Sequence, residues 1–368
     1  MIKSISEMER NVWSILGLPF DIFNMDDVID KIHYSANINT PCFISTPNLN
    51  FLIASQNNTD FKNSVINSDL SVADGKPLIW IARLLNIPLP ERIAGSDIIE
   101  ELIENNKENK PLKVFFFGGQ DGVAEQACKK LNLSEKGLSC TGFYNPGFGT
   151  LEEMSALNII GTINQSDADF VIVSLGAKKG QAWIEENKDK LNAPVVSHLG
   201  AVVNFIAGTV KRSPKIMQKL GFEWLWRIKE EPALWTRYFR DGLSFLYLFL
   251  CRVLPLSILI ILKKPEKENR TGEIEITSSD GLTNIKLNGF WGIDNMQETN
   301  KAFIAVLELT DDIQINITGS SYIDGAFIAK TMLLKKNLAK DNRGLKIKSE
   351  SRLVTNIFRY NCCDYLLN

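Results

Sequence analysis

Between residue 20 and about residue 200, short apolar runs alternate with longer stretches in which apolar residues recur every three or four positions. The runs in "CFISTPNLN", "KVFFFGG", "ADFVIVSLGA" and "APVVSHLGA" have strand length and are rich in β-branched and aromatic residues. "GSDIIEELIENNK", "TLEEMSALNIIGTINQ" and "QAWIEENKDKL" carry the helical spacing. This alternation predicts βαβ units and a parallel sheet flanked by helices, an α/β core over residues 1–204. In such sheets ligands bind beyond the carboxyl ends of the strands. Thr46, Asp74, Gly118 and Gly176 close four of the apolar runs and are the first candidates.

Beyond residue 205 the pattern changes. "KRSPKIMQKLGFEWLWRIKEEPALWTRYFR" holds eight Lys/Arg against three Glu, with Trp224, Trp226 and Trp235 among them. The stretch 243–262 is almost wholly apolar, long enough to span a bilayer, and interrupted by Arg252 and Pro255. A central arginine costs roughly 2.5–3.5 kcal/mol on insertion scales, and Pro255 is expected to break the helix. A helix lying in the membrane interface is therefore favoured over a spanning one, and residues 205–264 read as a membrane-associating appendage. The charged stretch 265–271 reads as a linker that lets the C-terminal part of the chain move independently. From 272 to 368 "EIEITSS", "TNIKLNG" and "IQINITGS" predict a second, small α/β domain able to fold alone.

Composition narrows the class. A chain of 368 residues with 45% hydrophobic and 23% charged residues has ample material for a core. The net charge of -2 argues against nucleic acid as a partner. Six scattered cysteines without a CxxC pair read as reduced thiols, and the first twenty residues lack a signal-peptide pattern.

Asp74 and Gly75 end the run "SVADG" abruptly. A carboxylate there either caps the next helix or is held at the sheet mouth to accept a proton. "FFFGGQDGVAEQA" is strand, glycine-rich turn and helix, so Gly118 and Gly119 are candidates for cradling a phosphate. Gly176, Lys179 and Gln181 sit in a second such loop. Thr46, Asn48 and Asn50 alternate and are read as facing one way from a strand end, suited to sugar hydroxyls. Arg92 stands beside Glu91 and an N-cap candidate, Ser96 or Asp97. His33 and His198 read as structural, and no metal or other cofactor is expected.

Taken in order, "TPNLNF", "SVADGKPL", "LPERIAGSDI", "FFFGGQDG", "GFYNPGFGT", "VSLGAKKGQAW" and "AGTVKRSPKIMQKLGFEWLWRIKEEP" resemble the WecG/TagA/CpsF family of bacterial glycosyltransferases over roughly residues 12 to 240. The resemblance implies a Rossmann-like fold and an inverting transfer of a hexose or N-acetylhexosamine (ManNAc-type) from a UDP-sugar to a polyprenyl-diphosphate-linked sugar, in surface polysaccharide assembly at the cytoplasmic face of the membrane. It implies Asp74 as general base and Thr46, Asn48 and Arg92 as substrate contacts. Where the family carries a glutamine after its LGA turn this chain has Gly180, with Gln181 next to it. The resemblance also implies that the appendage meets lipid diphosphate and membrane through Arg212, Arg227, Arg237, Trp224 and Trp226. Ala233 and Leu234 stand where the family often has an arginine after Glu-Pro.

Residues 272–368 resemble a STAS domain in their order of strand, Asp324 loop, helix, short strand and final helix. No Ser or Thr follows Asp324 directly, so a docking or self-association role is expected rather than a phosphoswitch, with Ser320 and Ser321 as remote substitutes. Two other readings remain open: a nucleotide-binding oxidoreductase, and a catalytically silent nucleotide-sugar-binding scaffold acting through the STAS-like domain.

Overall fold

The computed structural model describes residues 7–105 and 110–367. The chain opens with a hairpin the hydrophobic pattern did not announce. β1 (Val12–Ile15) and β2 (Leu18–Asp21) pair antiparallel around Leu16 and Gly17, both with positive φ, the two-residue turn that matches strand twist. Arg10 grips Asp21 at 3.0 and 2.7 Å, and Asp21 accepts the Ser71 N–H at 2.7 Å, which fastens the hairpin to the main sheet.

The main sheet follows from alternating elements. After α1 (Met25–Asn37), whose Asn24 and Asp27 form a reciprocal capping box, come β3 (Cys42–Ser45), α2 (Leu49–Asn57), α3 (Thr59–Ile66), β4 (Leu70–Ser71) and α4 (Lys76–Leu84). α5 (Gly95–Glu104) precedes β5 (Leu112–Gly118), α6 (Val123–Ser134) and β6 (Leu138–Tyr144). The predicted helix over 150–165 is two, α7 (Leu151–Met154) and α8 (Leu157–Gln165). β7 (Phe170–Ser174), α9 (Ala177–Asn187), β8 (Val195–His198) and α10 (Val202–Ala207) complete the unit. Six strands lie parallel in the order β4-β3-β8-β7-β5-β6. β3, β7 and β8 are buried at every position, as strands covered by helices on both faces must be, whereas edge strand β6 alternates.

The basic segment forms α11 (Lys215–Leu220) and α12 (Glu223–Glu230). α13 (Trp235–Leu248) then runs through a π-helical turn at Phe249–Val253 into α14 (Leu254–Lys263). Pro255 therefore does not break the helix. The wider π turn just before it takes up the missing N–H and the ring's clash with the preceding carbonyls. The helix Pro232–Lys263 is long and apolar enough to cross a membrane, but one face packs inward. Leu248, Val253 and Leu256 are buried, Arg252 donates to the Arg359 carbonyl at 2.9 Å, and Leu250, Leu254, Ile258 and Ile261 stay exposed.

A second sheet, β12-β11-β10-β9, comes from β9 (Gly272–Ser279), β10 (Leu282–Trp291), β11 (Asp312–Ile323) and β12 (Leu345–Lys348). α15 (Met296–Leu307), α16 (Gly325–Lys340) and α17 (Arg352–Tyr360) accompany it. The expected element order is present. Independent movement is not: α16 is buried over most of its length because it packs on its own sheet and on the β1–β2 hairpin. One core joins Trp13, Ile15, Leu18 and Phe20 to Ile315, Phe327, Leu333 and Phe358. The seam also carries buried charge, always partnered. The Lys330 ammonium donates to the carbonyls of Met8 and Arg10, and Glu7 holds Lys336 at 3.0 Å and Asn337 at 2.7 Å.

The thiol expectation needs one correction. Cys128 of α6 and Cys140 of β6 form a disulfide, drawn together because Asn132 bonds both the N–H and the carbonyl of Cys140. Cys42, Cys362 and Cys363 are free and buried, and Cys251 is free and exposed.

Candidate active site

All strands of the main sheet run the same way, so their carboxyl ends share one edge. Asp74 lies three residues past β4, its N–H bonded to the Pro47 carbonyl at 2.9 Å. It is not a helix cap. Gly75 occupies the N-cap of α4 with no side-chain cap bond, at φ +117 and ψ 142, a conformation only glycine adopts readily. The glycine turns the chain so that the carboxyl group of Asp74 stays free of the helix.

The groups around that carboxylate are mainly cationic. Arg92, brought alongside when the Ile93 N–H bonds the Ala73 carbonyl, stands 3.9 Å from Asp74. Its guanidinium also bonds Asp97 at 2.6 Å and Glu223 of α12 at 3.1 Å. Arg212 pairs with Asp97 and with Glu100. Arg227 forms no ion pair among the described residues and lies 5.8 Å over the ring of Phe205. Burial pushes the carboxyl of Asp74 up to about 6, assisted by Glu223 and opposed by Arg92, Arg227 and Arg212. A carboxylate so placed can take a proton near neutral pH while the guanidiniums meet an anion.

The other candidates divide. Thr46 is buried at the end of β3, facing Gly95. A side chain at Gly95 would collide with Leu199, so the glycine lets α5 approach the edge. Asn48 and Asn50 do not extend a strand. β3 stops at Ser45, Asn48 caps α2 through the Phe51 N–H at 3.2 Å, and Asn50 is inside that helix, bonded to Asp241 at 3.1 Å. Proline at 47 and a good cap at 48 start a helix where strand alternation was expected. Neither Ser96 nor Asp97 caps α5. Ala94 holds that place, and Asp97 instead bonds the two arginines.

Gly118 and Gly119, at φ +94 and +96, turn the chain sharply off β5, and the Gly119 N–H is bonded to the Ser174 carbonyl at 2.8 Å. That donor serves the sheet end rather than a phosphate. Gly176 is the N-cap of α9, so the expected "GAKKGQAW" loop is the first turns of a helix. Lys179 reaches the Gly149 carbonyl at 2.8 Å, away from Asp74. Gln181 turns inward and donates to Ser45 at 3.0 Å, leaving its Oε1 buried without a partner. His198 is buried with its ring pressed on Gly180 and Nε2 2.5 Å from the Leu175 carbonyl, and burial lowers its pKa.

From the appendage, Arg212 and Arg227 join the edge. Arg237 stacks 5.1 Å over Tyr238 with Nε buried and unpartnered. Trp226 donates to the Lys211 carbonyl at 3.0 Å, and Trp224 is exposed beside Tyr238. Gly221 abuts Lys76, so this segment folds across the turn that carries Asp74. Other buried polar atoms without partners line the same region: Ser174 Oγ, Asn204 Oδ1, Arg212 Nε and Ser213 Oγ. Glu223 and Glu100 were missed in the sequence, and Asp97 was read only as a cap, because nothing local says that a helical carboxylate will meet an arginine over a hundred residues away. One Asp-x-Asp run, Asp167-Ala168-Asp169, has metal-binding spacing but lies at the amino end of β7, where both aspartates are engaged by Lys113.

A family model described as "Glycosyl transferase WecG/TagA/CpsF family" matches residues 13–257. Relatives named N-acetylglucosaminyldiphosphoundecaprenol N-acetyl-beta-D-mannosaminyltransferase include that of Bacillus subtilis (strain 168), 27% identical over 227 residues, 61% of this chain and 86% of the relative. That of Bacillus spizizenii is 26% identical over 199 residues, 54% of this chain and 75% of the relative. One from Staphylococcus aureus (strain NCTC 8325) is 27% identical over 215 residues, with shares of 58% and 82%.

Proposed function

The chain belongs to the WecG/TagA/CpsF glycosyltransferase family, and from that premise we propose that it moves a hexose or N-acetylhexosamine, ManNAc-type, from a UDP-sugar to a polyprenyl-diphosphate-linked sugar. The observation that carries the proposal is the free, half-buried carboxylate of Asp74, 26% exposed at the side chain, facing three guanidiniums. Its role is general base on the acceptor hydroxyl, which then attacks the anomeric carbon from the face opposite UDP and inverts it. Arg227 and Arg237, neither of which forms an ion pair among the described residues, meet the diphosphates, while Arg92 and Arg212 set the field around the base. Thr46 and Asn48 stand next to the sugar.

The relatives' printed names support the lipid-linked acceptor. The exposed apolar face of α13–α14 with Trp224 and Trp235 supports a peripheral seat on the membrane, which the proposal sets on its cytoplasmic face. The unit 272–368 is read as a STAS-like docking module fixed to the enzyme. Mass spectrometry of the product from a panel of UDP-sugars and a short-chain lipid-diphosphate-GlcNAc acceptor tests the reading. No turnover with any donor, from folded protein, would return the chain to the silent-scaffold alternative.

A further inference from the structure

At the opposite, amino-terminal edge of the six-stranded sheet, the two halves of the molecule leave a cavity of about 790 Å³ between them. Its apolar lining comes from Phe43 of β3, Val196 of β8, Ile66 of α3 and Met332 of α16. Its charged lining holds five lysines, Lys62, Lys188, Lys335, Lys336 and Lys340, against four acids, Glu7, Asp69, Glu185 and Asp189. Three of the lysines are ion-paired. Lys188 pairs with Glu185 at 2.9 Å, and Lys336 and Lys340 share Glu7 at 3.0 and 3.4 Å. The acid Asp69 accepts the Phe43 N–H, and Asp189 is exposed.

Lys62 and Lys335 are different. They come from α3 and α16, one on each half, and neither forms an ion pair among the described residues. Both bring their ammonium groups to the ring of Tyr365, at 4.6 and 5.3 Å from its centroid. A ring face attracts a cation only weakly at exposed sites, and two like charges drawn to one ring repel each other. An anion seated there would answer both lysines at once. Lysine presents a compact point charge that suits phosphate, and the apolar lining suits an organic group attached to it. The volume falls in the usual range for small-molecule sites, about 300–1,000 Å³.

We propose that this cavity binds a small organic phosphate, of sugar-phosphate to nucleotide size, through Lys62 and Lys335. The site is distinct from the transferase edge, since Phe43 lies at the amino end of β3 and Thr46 past its carboxyl end. A ligand in it touches both halves, so it stabilises their docked arrangement by mass action.

The test is calorimetric titration of the full chain with inorganic phosphate, glucose 6-phosphate and AMP. It is repeated on Lys62→Glu and Lys335→Glu, on Lys335→Arg, and on Arg92→Ala to account for binding at the transferase edge. One organic phosphate should bind saturably and at least about tenfold more tightly than inorganic phosphate, a difference of about 1.4 kcal/mol. Each charge reversal should weaken it by a similar factor, while Lys335→Arg and Arg92→Ala leave it within about twofold. Lys335 is exposed and Lys62 only partly buried, so the variants keep the fold, which circular dichroism verifies. Three outcomes overturn the proposal: no saturable binding of any probe, equal affinity for inorganic and organic phosphate, or binding lost in Arg92→Ala but kept in both reversals.

Discussion

Asp74-Gly75 and Asp324-Gly325 are the same dipeptide in the same topological place, the turn from a strand into a helix, yet the two carboxylates lead opposite lives. Asp324 is spent on structure. It accepts the N–H groups of Ala326 at 2.8 Å, Phe327 at 3.1 Å and Ile293 at 2.9 Å, and so caps α16 and fixes the turn after β10. Asp74 accepts no cap bond, because Gly75 takes the N-cap in a conformation that turns the carboxyl group away. Burial raises the pKa of both. Asp324 is held by fixed backbone donors with Lys264 as its charged neighbour, whereas Asp74 faces three guanidiniums and Glu223. A carboxylate bonded by backbone donors stabilises a fold; one left to side-chain charges at a sheet mouth is a candidate for chemistry.

The sharpest way to break the contrast is to neutralise each member. Asp74→Asn should lower turnover by about 10²–10⁴ while leaving the fold intact. Asp324→Asn should leave turnover per folded molecule unchanged and cost about 1–3 kcal/mol in urea unfolding, as the amide nitrogen that replaces Oδ2 leaves the Ile293 N–H without its acceptor. Normal turnover in Asp74→Asn would reduce both aspartates to the same structural role.

Asp74 should also show itself in stability against pH. The folded pKa of Asp74, about 6, stands above the ordinary aspartate value of 3.8. Its contribution to stability is therefore full below about pH 4 and lost as pH rises through 6. At pH 7.5 Asp74→Asn should be about 1–2 kcal/mol more stable than the parent, after allowance for partial exposure. A loss of stability there would contradict the burial assigned to it.

A smaller effect concerns the neighbour. kcat/KM should rise with pH through a limb near 6 as Asp74 gives up its proton. Glu223 raises that pKa, so Glu223→Gln should move the limb to lower pH by a fraction of a unit. An unmoved limb would assign it to another group.

The smallest is expected at the joint. Burial lowers the pKa of Lys330 to about 7, so stability should climb as pH rises from 7 toward 10. Lys330→Met should flatten that climb in denaturant titrations, with turnover unaffected. An unchanged slope would place the titration elsewhere.

Much of this was legible along the chain. The buried strands Phe170–Ser174 and Val195–His198 announce themselves as continuous apolar runs between amphipathic helices, since a strand covered on both faces has no polar positions to spare. A parallel sheet then fixes which strand ends share an edge, and with it Thr46 and Asp74, while Arg92 is brought there by the Ile93 N–H bond to the Ala73 carbonyl. Local chemistry also resolved less than it promised: "TPNLN" contains both strand alternation and a helix cap, and the cap prevailed. Tertiary structure alone decided the encounters between residues far apart in sequence. Glu223 meets Arg92 across 131 positions and Lys330 meets Met8 across 322. Nothing local encodes them, because each side chain on its own reads as an ordinary solvated charge. The linker before residue 272 reads as flexible for the same reason: composition describes how the segment behaves in water, while its freedom was settled by apolar surface on α16 and β1 that each element left uncovered.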